Sequence, residues 1–165
     1  MQHITEPLSQ VFSLTAQIVE ALADRDYTRF ICGGATGFDT IAATCVLNLR
    51  EKRPGIQLIL ALPCADQSSR WSESERRLYE EIYSSADHTV TLSARYYKGC
   101  MMVRNKYMVE HASFCVAYYH GRETGGTLST IRMAVRQGLP VLNIAIPDEA
   151  RLFLRETAGM QPLPF

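Results

Sequence analysis

The chain has 165 residues, with 17 basic and 17 acidic side chains and 47% hydrophobic residues. This length suits one domain spanning residues 1–165, and the composition excludes an intrinsically disordered chain. Because the charges cancel, no net positive field favours nucleic-acid binding, and no apolar run approaches the roughly 20 residues of a membrane span.

The first part of the chain alternates between helical and strand-like apolar patterns. Apolar residues recur at near-helical spacing over 8–22, with Thr5 as a candidate N-cap, and predict a first helix. Residues 28–32 form a short apolar run that ends at two glycines, which is typical of a buried strand entering a tight loop. Helical spacing then returns over 38–49 and predicts a second helix packed on a sheet.

The same alternation continues along the rest of the chain. Residues 56–62 are almost continuously apolar, as in a parallel strand covered on both faces. Ser72 is a candidate cap for a charged helix over 72–84. The remaining predicted elements are a strand over 88–92, a helix over 99–111, a strand over 114–119, a helix over 127–137, a strand over 141–146 and, within the tail over 147–165, a short helix over 149–155.

A helix after each of five strands is the pattern of a parallel sheet built from crossover connections. We therefore predict an α/β fold of three layers. Its centre is a doubly wound parallel sheet of about five strands in the order 3-2-1-4-5, with helices on both faces.

The loop between the first strand and the second helix reads Gly33, Gly34, Ala35, Thr36 and Gly37. Such a loop places backbone N–H groups and the positive end of a helix around an anion, and the missing Cβ atoms allow close approach. A glycine-rich turn of this kind also serves simply to make a tight corner. The loop is therefore a candidate anion site.

A second glycine-rich loop, residues 120–127, follows the fourth strand and contains Gly125, Gly126 and Thr127. In a sheet of order 3-2-1-4-5, strands one and four are neighbours and their helices leave to opposite faces. Both loops then meet at one crevice, which is where ligands bind in such sheets. The pair predicts binding of a phosphate-bearing small molecule.

Two common nucleotide sites are disfavoured. The first loop has the pattern G-G-x-x-G, not G-x-G-x-x-G, and the second strand ends at Pro63 without the acid that holds a dinucleotide ribose, which argues against a standard NAD site. Neither loop contains the Gly-Lys-Ser/Thr of a P-loop, which argues against ATP hydrolysis.

The five cysteines favour neither a disulfide framework nor a metal site. Their number is odd and no C-x-x-C pair occurs, so we expect reduced thiols and no structural metal. Residues 1–8 lack the charged and then apolar pattern of a secretory signal. We therefore expect a cytoplasmic protein that is not inserted into a membrane.

A set of short motifs resembles the YpsA-like family of the SLOG superfamily, in the right order from about Phe30 to Val141. This resemblance implies a Rossmann-like fold and a role in sensing a nucleotide-derived, ADP-ribose-like ligand. The motifs are residues 33–39, residues 60–64, Asp66-Gln67, Trp71, Arg104-Asn105-Lys106 and Gly125-Gly126-Thr127.

Three further side chains are candidates for ligand contact near the carboxyl edge of the sheet. Asp39 lies in the first turn of its helix, where it either complements the helix dipole or hydrogen-bonds a ligand hydroxyl. Asp66 and Trp71 flank the loop after the second strand, and Trp71 either stacks on a base or anchors the packing.

Arg104 is the best charged candidate, because a guanidinium offers a forked donor to phosphate. The alternative is an ordinary exposed helix arginine, and the family resemblance favours the phosphate contact. Asn105 next to it would face a different direction on the helix, so the two form at most a loose pair.

The resemblance also suggests two alternative functions. LOG phosphoribohydrolases of the superfamily carry a catalytic glutamate three residues after the glycine-threonine pair, where this chain has Thr130, and a threonine does not replace a carboxylate. Glu123 remains a spatial substitute, but no catalytic residue is assigned and a binding role without turnover is favoured. Kinship with DprA suggests single-stranded DNA binding, which the balanced charge disfavours. Self-association is common in the superfamily, but the thin apolar side of the predicted helix over 72–84 indicates no clear interface. Magnesium would suit a diphosphate ligand, but no cluster of ligand residues requires it.

Overall fold

A computed structural model describes residues 8–121 and 125–160. Thr5 and Glu123, as well as the end of the predicted tail, lie outside the described residues. The elements in chain order are α1 (Leu8–Asp24), β1 (Arg29–Cys32), α2 (Phe38–Lys52), β2 (Gln57–Leu62), α3 (Glu73–Ser85), β3 (His88–Thr91), α4 (Cys100–Glu110), β4 (Cys115–Ala117), α5 (Gly126–Arg136), β5 (Val141–Asn143) and α6 (Pro147–Gly159).

All strand pairs among the described residues are parallel, and the predicted α/β fold is confirmed. β2 pairs with β1 and with β3, in a register that sets Cys32 opposite Leu60. β4 pairs with β5, with Cys115 opposite Val141. These two groups are the 3-2-1 and 4-5 parts of the predicted order, but no ladder joins β1 to β4 within the described part of the chain.

Both strands of the second group are shorter than predicted. The apolar pattern predicted that β5 would continue to residue 146, but it ends at Asn143 because the backbone turns there. The Asn143 side chain makes this turn: its Oδ1 accepts from the N–H of Ala145 at 3.1 Å and from the N–H of Tyr119 at 3.0 Å. Its Nδ2 donates to the carbonyl of Tyr119 at 2.7 Å. Asn143 therefore anchors the chain just before the second glycine loop.

α1 joins two apolar clusters in the core. Its residues Val19 and Ala23 pack in the cluster that contains β1 and β2, where Leu58, Leu60 and Leu62 are completely buried. Its residues on the neighbouring face pack in the second cluster, with β4, β5 and α6. α1 also packs on α2 and α6, whereas α4 and α5 pack on each other. This long helix thus holds the two strand groups together. The second cluster contains Val11, Ile18, Ala21, Leu22, Phe38, Tyr118, Leu142, Ile144, Ala150 and Phe153.

Two helix ends follow from local sequence. α3 begins after Ser72, whose hydroxyl accepts from the N–H of Glu75 at 3.3 Å while the Glu75 carboxylate accepts from the N–H of Ser72 at 2.9 Å. This is the capping box of a helix N-terminus. α6 is longer than the predicted 149–155 because Pro147 occupies its first turn, where a missing N–H is tolerated. Among the described residues, no helix is both long and apolar enough to cross a membrane.

Asp87 ties β2 to the segment that enters β3, and this contact gives a first prediction. Its Oδ2 accepts from the N–H of Leu58 at 2.8 Å and from Arg50 at 2.9 Å, and these hydrogen bonds hold the pKa of Asp87 below its usual range. Asp87→Asn is expected to lower the free energy of unfolding by about 1 kcal/mol at pH 7.

The expected loss depends on pH in a defined direction. A carboxylate with a depressed pKa stabilises the fold above its ordinary pKa and loses that contribution as pH falls through its folded pKa. Urea unfolding at pH 7 and near pH 3 should therefore show the difference between wild type and Asp87→Asn shrinking in acid. Asp24→Asn is the control, since Asp24 pairs with Arg53 at 2.8 Å in a more exposed ion pair. If Asp87→Asn costs as much stability near pH 3 as at pH 7, the stabilising role given to the Asp87 carboxylate is wrong.

Candidate functional site

The two glycine loops line one cavity of about 730 Å³. The cavity lies at the carboxyl ends of β1 and β4 and extends between these two strands, reaching the helices on both sides of the sheet. The first loop contributes Ala35 and Thr36, and the second contributes Gly125, Gly126 and Thr127. The loops that the strand order predicted to be neighbours therefore border the same space. Their role in binding stays a prediction.

A buried aromatic pair brings the two loops together. Phe38 opens α2 directly after the first loop, and Tyr118 follows β4 on the way to the second. Their rings stack with centroids 5.9 Å apart and planes 28° from parallel, and both side chains are buried. Neither Phe38 nor Tyr118 was predicted to contact a ligand. The structure shows that this packing positions the site.

Arg104 lies directly against the first loop. Its side chain is only 5% exposed, so the alternative of an ordinary exposed helix arginine is wrong. The guanidinium Nη1 donates to the carbonyl of Gly33, and Nε donates to Oδ1 of Asn105 at 2.8 Å. Asn105 is thus a direct hydrogen-bond partner of Arg104, whereas the helix geometry predicted at most a loose pair. A buried cation lies at the cavity wall as a result.

Gly33 and Gly34 have no room for a side chain. A Cβ on Gly33 would clash with Nη1 of Arg104, and it would lie 2.7 Å from Cζ of Arg104 and 2.8 Å from Oδ2 of Asp39. Gly34 has a φ of +68°, and a Cβ there would lie 2.7 Å from Cδ2 of Leu62. The first loop therefore needs glycine at both positions, for steric reasons at Gly33 and for conformational reasons as well at Gly34.

Asp39 faces the same loop from the first turn of α2. Its Oδ2 accepts from the N–H of Ala35 at 3.2 Å. Burial raises the pKa of Asp39, while the charge of Arg104 and the Ala35 hydrogen bond act in the opposite direction. The carboxylate therefore orders the loop and balances the buried guanidinium. A contact between Asp39 and a ligand hydroxyl stays a prediction.

The second loop lies next to α4 and opens α5. A Cβ on Gly126 would be 3.4 Å from Nδ2 of Asn105, which is an ordinary van der Waals distance. Gly125, with a φ of 131°, is the N-cap of α5. The Thr130 hydroxyl, at the position of the LOG glutamate, donates to the carbonyl of Gly126 at 2.8 Å. Thr130 thus completes the first turn of the helix.

The loop after β2 contributes one predicted residue to the cavity and leaves another outside it. Trp71 lines the cavity and meets Tyr79 edge-on, with ring centroids 5.3 Å apart. Asp66 is exposed, does not line the cavity, and accepts from the N–H of Tyr96 at 2.9 Å. Gln67, to which no role was assigned, donates from Nε2 to the carbonyl of Gly34 at 3.2 Å. The sequence signal that could have identified Gln67 is its position next to Asp66, at the carboxyl edge of the sheet.

The described residues contain no group of three or more His, Cys, Asp or Glu side chains placed to hold a metal ion. The described lining of the cavity offers backbone groups, the Arg104 guanidinium, the Asp39 carboxylate and neighbouring polar and aromatic side chains.

Comparisons with known proteins agree with the resemblance seen in the motifs. The family model YpsA, described as the YspA SLOG family, matches residues 8–139. The SPbeta prophage-derived protein YoqJ of Bacillus subtilis is 32% identical over 124 residues, which cover 68% of this chain and 72% of YoqJ. A UPF0398 protein of Halalkalibacterium halodurans is 28% identical over 123 residues, covering 73% of this chain and 65% of that protein.

A solved structure shows the same fold. DNA processing protein A (DprA) from Streptococcus pneumoniae matches with a TM-score of 0.59 at 18% sequence identity. The match covers 89% of this chain and 52% of the DprA chain, so the chain spans about half of that protein. At this identity the likeness establishes the Rossmann-like fold alone.

The close approach at Gly33 gives a second prediction. Gly33→Ala is expected to lower the free energy of unfolding by roughly 1–3 kcal/mol, because the new Cβ displaces Arg104 and Asp39. Chemical denaturation measures the loss. Gly55→Ala is the matched control, since nothing lies within 4 Å of its Cβ position, and its stability should be unchanged or slightly raised. If Gly33→Ala is as stable as Gly55→Ala, the first loop accommodates the new Cβ with no loss in the free energy of unfolding.

The charge balance between Arg104 and Asp39 gives a third prediction. Arg104→Met is expected to lower the free energy of unfolding by roughly 2–4 kcal/mol at pH 7. The change removes the positive charge that opposes the burial-raised pKa of Asp39, so this pKa rises further. A carboxyl with a raised folded pKa stabilises the fold only while protonated, and the variant should lose stability progressively as pH rises above about 4.

Adding Asp39→Asn to Arg104→Met removes the unbalanced charge. The double variant should regain part of the lost stability at pH 7 and should lose the pH dependence. Unfolding curves between pH 4 and pH 8 for both variants provide the measurement. A loss that is independent of pH, with no recovery in the double variant, would refute the coupling.

Proposed function

Because the chain belongs to the YpsA family of SLOG proteins, we propose that it is a binding module for a nucleotide-derived small molecule that carries phosphate, such as ADP-ribose. The single observation that carries the proposal is that two glycine loops and a buried arginine border one cavity. The proposed role is regulatory: the protein binds its ligand without turning it over.

The helix ends at the cavity supply one part of an anion site. α2 and α5 both begin there, after the glycine N-caps Gly37 and Gly125. Glycine has no side chain with which to cap a helix, so neither N-cap residue itself fills the helix end. A helix N-terminus carries partial positive charge and orients N–H groups toward an anion. Two helix N-termini at one cavity would suit a diphosphate ligand better than a ligand with a single carboxylate.

Arg104 supplies the fixed charge. Among the hydrogen bonds of the described residues, Nε and Nη1 of Arg104 donate while Nη2 donates none. The side chain lines the cavity, so its remaining donors are available to a phosphate oxygen there. Because Gly33 and Asn105 already hold the guanidinium, little side-chain entropy is lost on binding.

The size and lining of the cavity suit a nucleotide-derived ligand. A volume of about 730 Å³ lies within the usual range for small-molecule sites. Trp71 and Met101 line the cavity with apolar surface. A base next to these side chains and a diphosphate at the glycine loops would occupy different parts of the same space. This division favours an ADP-ribose-like ligand over inorganic phosphate.

The chemistry of the site favours binding over hydrolysis. A phosphoribohydrolase needs a carboxylate beside the bond between base and ribose, and the corresponding position here is Thr130. Its hydroxyl is occupied by the carbonyl of Gly126. The DprA likeness concerns the fold alone, and the equal numbers of acidic and basic residues give no support to a DNA-binding role.

A thermal-shift titration tests the proposal. ADP-ribose, AMP, NAD and cyclic AMP are added at millimolar concentration, and ADP-ribose is expected to raise Tm by roughly 5 °C or more near saturation. Gly126→Asp should abolish the shift because its carboxylate repels the anion. Gly55→Asp is the matched control and should keep it. Chromatography of the same mixtures should show no free base.

Two results would overturn the proposal. If none of the four compounds raises Tm, the cavity is not a nucleotide site of this class. If free base is released from AMP, and the release stops in Gly126→Asp, the protein is a hydrolase. Retention on single-stranded DNA that weakens steeply with salt would instead support a DprA-like function.

A further inference from the structure

The first glycine loop already binds an anionic group that belongs to the protein itself. Oδ2 of Asp39 accepts from the N–H of Ala35 at 3.2 Å, and both residues line the cavity. The same oxygen would lie only 2.8 Å from a Cβ on Gly33. The carboxylate therefore holds a backbone donor that the loop would otherwise offer to a phosphate oxygen.

Side chains from α4, from α2 and from the segment after β2 fix the shape of this loop. They bind three successive carbonyl groups of the loop. Arg104 donates to Gly33, Gln67 donates to Gly34 at 3.2 Å, and Thr40 donates to Ala35 at 3.2 Å. The loop cannot turn its N–H groups in another direction without breaking these hydrogen bonds. An anion that binds this loop must therefore compete with Asp39.

Arg104 is the charged side chain that acts on Asp39. The two groups approach Gly33 together, since a Cβ on Gly33 would lie 2.7 Å from Cζ of Arg104 as well as 2.8 Å from the carboxylate. The hydrogen bonds of the guanidinium, however, go to the carbonyl of Gly33 and to Asn105. Burial raises the pKa of Asp39, and the charge of Arg104 acts in the opposite direction.

Other titratable groups border the same cavity. The thiols of Cys32 and Cys115 line it from β1 and β4, and burial raises the pKa of both, so they stay neutral around pH 7. His111 and His120 line it as well. Because a histidine gains positive charge as the pH falls, histidine protonation is the competing source of any pH-dependent anion binding.

We propose that the Asp39 carboxylate is an internal competitor of the ligand's phosphate, so that phosphate binds the first loop only together with a proton on Asp39. This inference rests on the proposed function and adds a regulation to the same site. Two anionic groups at one N–H repel each other, and protonation of the carboxylate removes this repulsion. The neutral carboxyl group then has an O–H that donates to a phosphate oxygen. One proton passes from the solvent to Asp39 for each ligand bound.

The expected pH dependence has a defined sign. A bound phosphate raises the pKa of Asp39 above its value in the free protein, so affinity falls as the pH rises between these two values, by up to roughly tenfold per pH unit. In the free protein, burial has already raised this pKa above its ordinary value of about 4. The fall in affinity is therefore expected between pH 5 and pH 8.

Calorimetric titration with ADP-ribose tests the proposal. Each phosphorus of ADP-ribose has only one strongly acidic hydroxyl, so the charge of the ligand does not change in this pH range. The dissociation constant is expected to be roughly tenfold or more larger at pH 8 than at pH 5.5. Repeating the titration in buffers that differ in ionisation enthalpy measures the proton uptake, which should approach one proton per ligand.

Asp39→Asn isolates the carboxylate. The amide oxygen still accepts from the N–H of Ala35, but the negative charge is gone. At pH 8 this variant is expected to bind ADP-ribose roughly tenfold or more tightly than the wild type, without proton uptake. Asp24→Asn is the matched control, because Asp24 lies in an exposed ion pair with Arg53 and does not line the cavity. The proton uptake of the wild type is measured independently of how well either variant folds.

Three results would overturn the proposal while the binding function stands. The first is an ADP-ribose affinity that is the same at pH 5.5 and pH 8. The second is weaker binding by Asp39→Asn at pH 8, which would show that the carboxylate holds a ligand hydroxyl. The third is a proton uptake that persists in Asp39→Asn, which would assign the pH dependence to the histidines.

Sulfate separates the two proposals if ADP-ribose does not bind. It is a tetrahedral dianion whose charge is constant over the same pH range, and its binding is followed by the amide signal of Ala35 in ¹⁵N–¹H spectra, with chloride at equal ionic strength as the control. Binding that weakens from pH 5.5 to pH 8 in the wild type, but not in Asp39→Asn, would uphold the competition and reject the nucleotide ligand. If neither anion binds at either pH, both proposals are wrong.

Discussion

The hydrogen bond from the buried guanidinium of Arg104 to the carbonyl of Gly33 is the contact on which the rest of the site depends. It fixes α4 against the first glycine loop and excludes any side chain at Gly33. Through Asn105 the same helix also meets Gly126 in the second loop. A buried charge is unfavourable unless it is compensated, and Asp39 supplies the opposing charge from α2. Contacts made through Arg104 and its neighbours therefore connect two helices and two loops that are distant in sequence.

The cavity is a consequence of how the sheet is divided. β1 pairs only with β2, and β4 only with β5, within the part of the chain that the structure describes. The two strand groups are held by side-chain packing rather than by a ladder, through α1 and through the stack of Phe38 on Tyr118. Space therefore remains between β1 and β4, and it opens where their glycine loops end.

α4 carries two side chains that reach the glycine loops. Arg104 contacts the first loop at Gly33, and Asn105 lies next to Gly126 in the second. The polar connections of this helix to the sheet are few and specific, whereas α1 is held by broad apolar packing. A change at a few atoms of α4 thus alters the site without disturbing the core.

The sequence by itself determined the succession of helices and strands and the two glycine loops, because apolar period and glycine are local signals. It also predicted the helix cap at Ser72, which the structure confirms, and indicated Arg104 and Trp71 as candidates by residue type and position. Only the tertiary structure decided that Arg104 is buried, that Asp66 lies outside the cavity, and that Gln67 and Phe38 position the first loop. It also decided that β5 ends at Asn143, since a side chain there competes with the ladder for backbone groups. These features depend on contacts between residues far apart in the chain, and periodicity and spacing contain no information about such contacts.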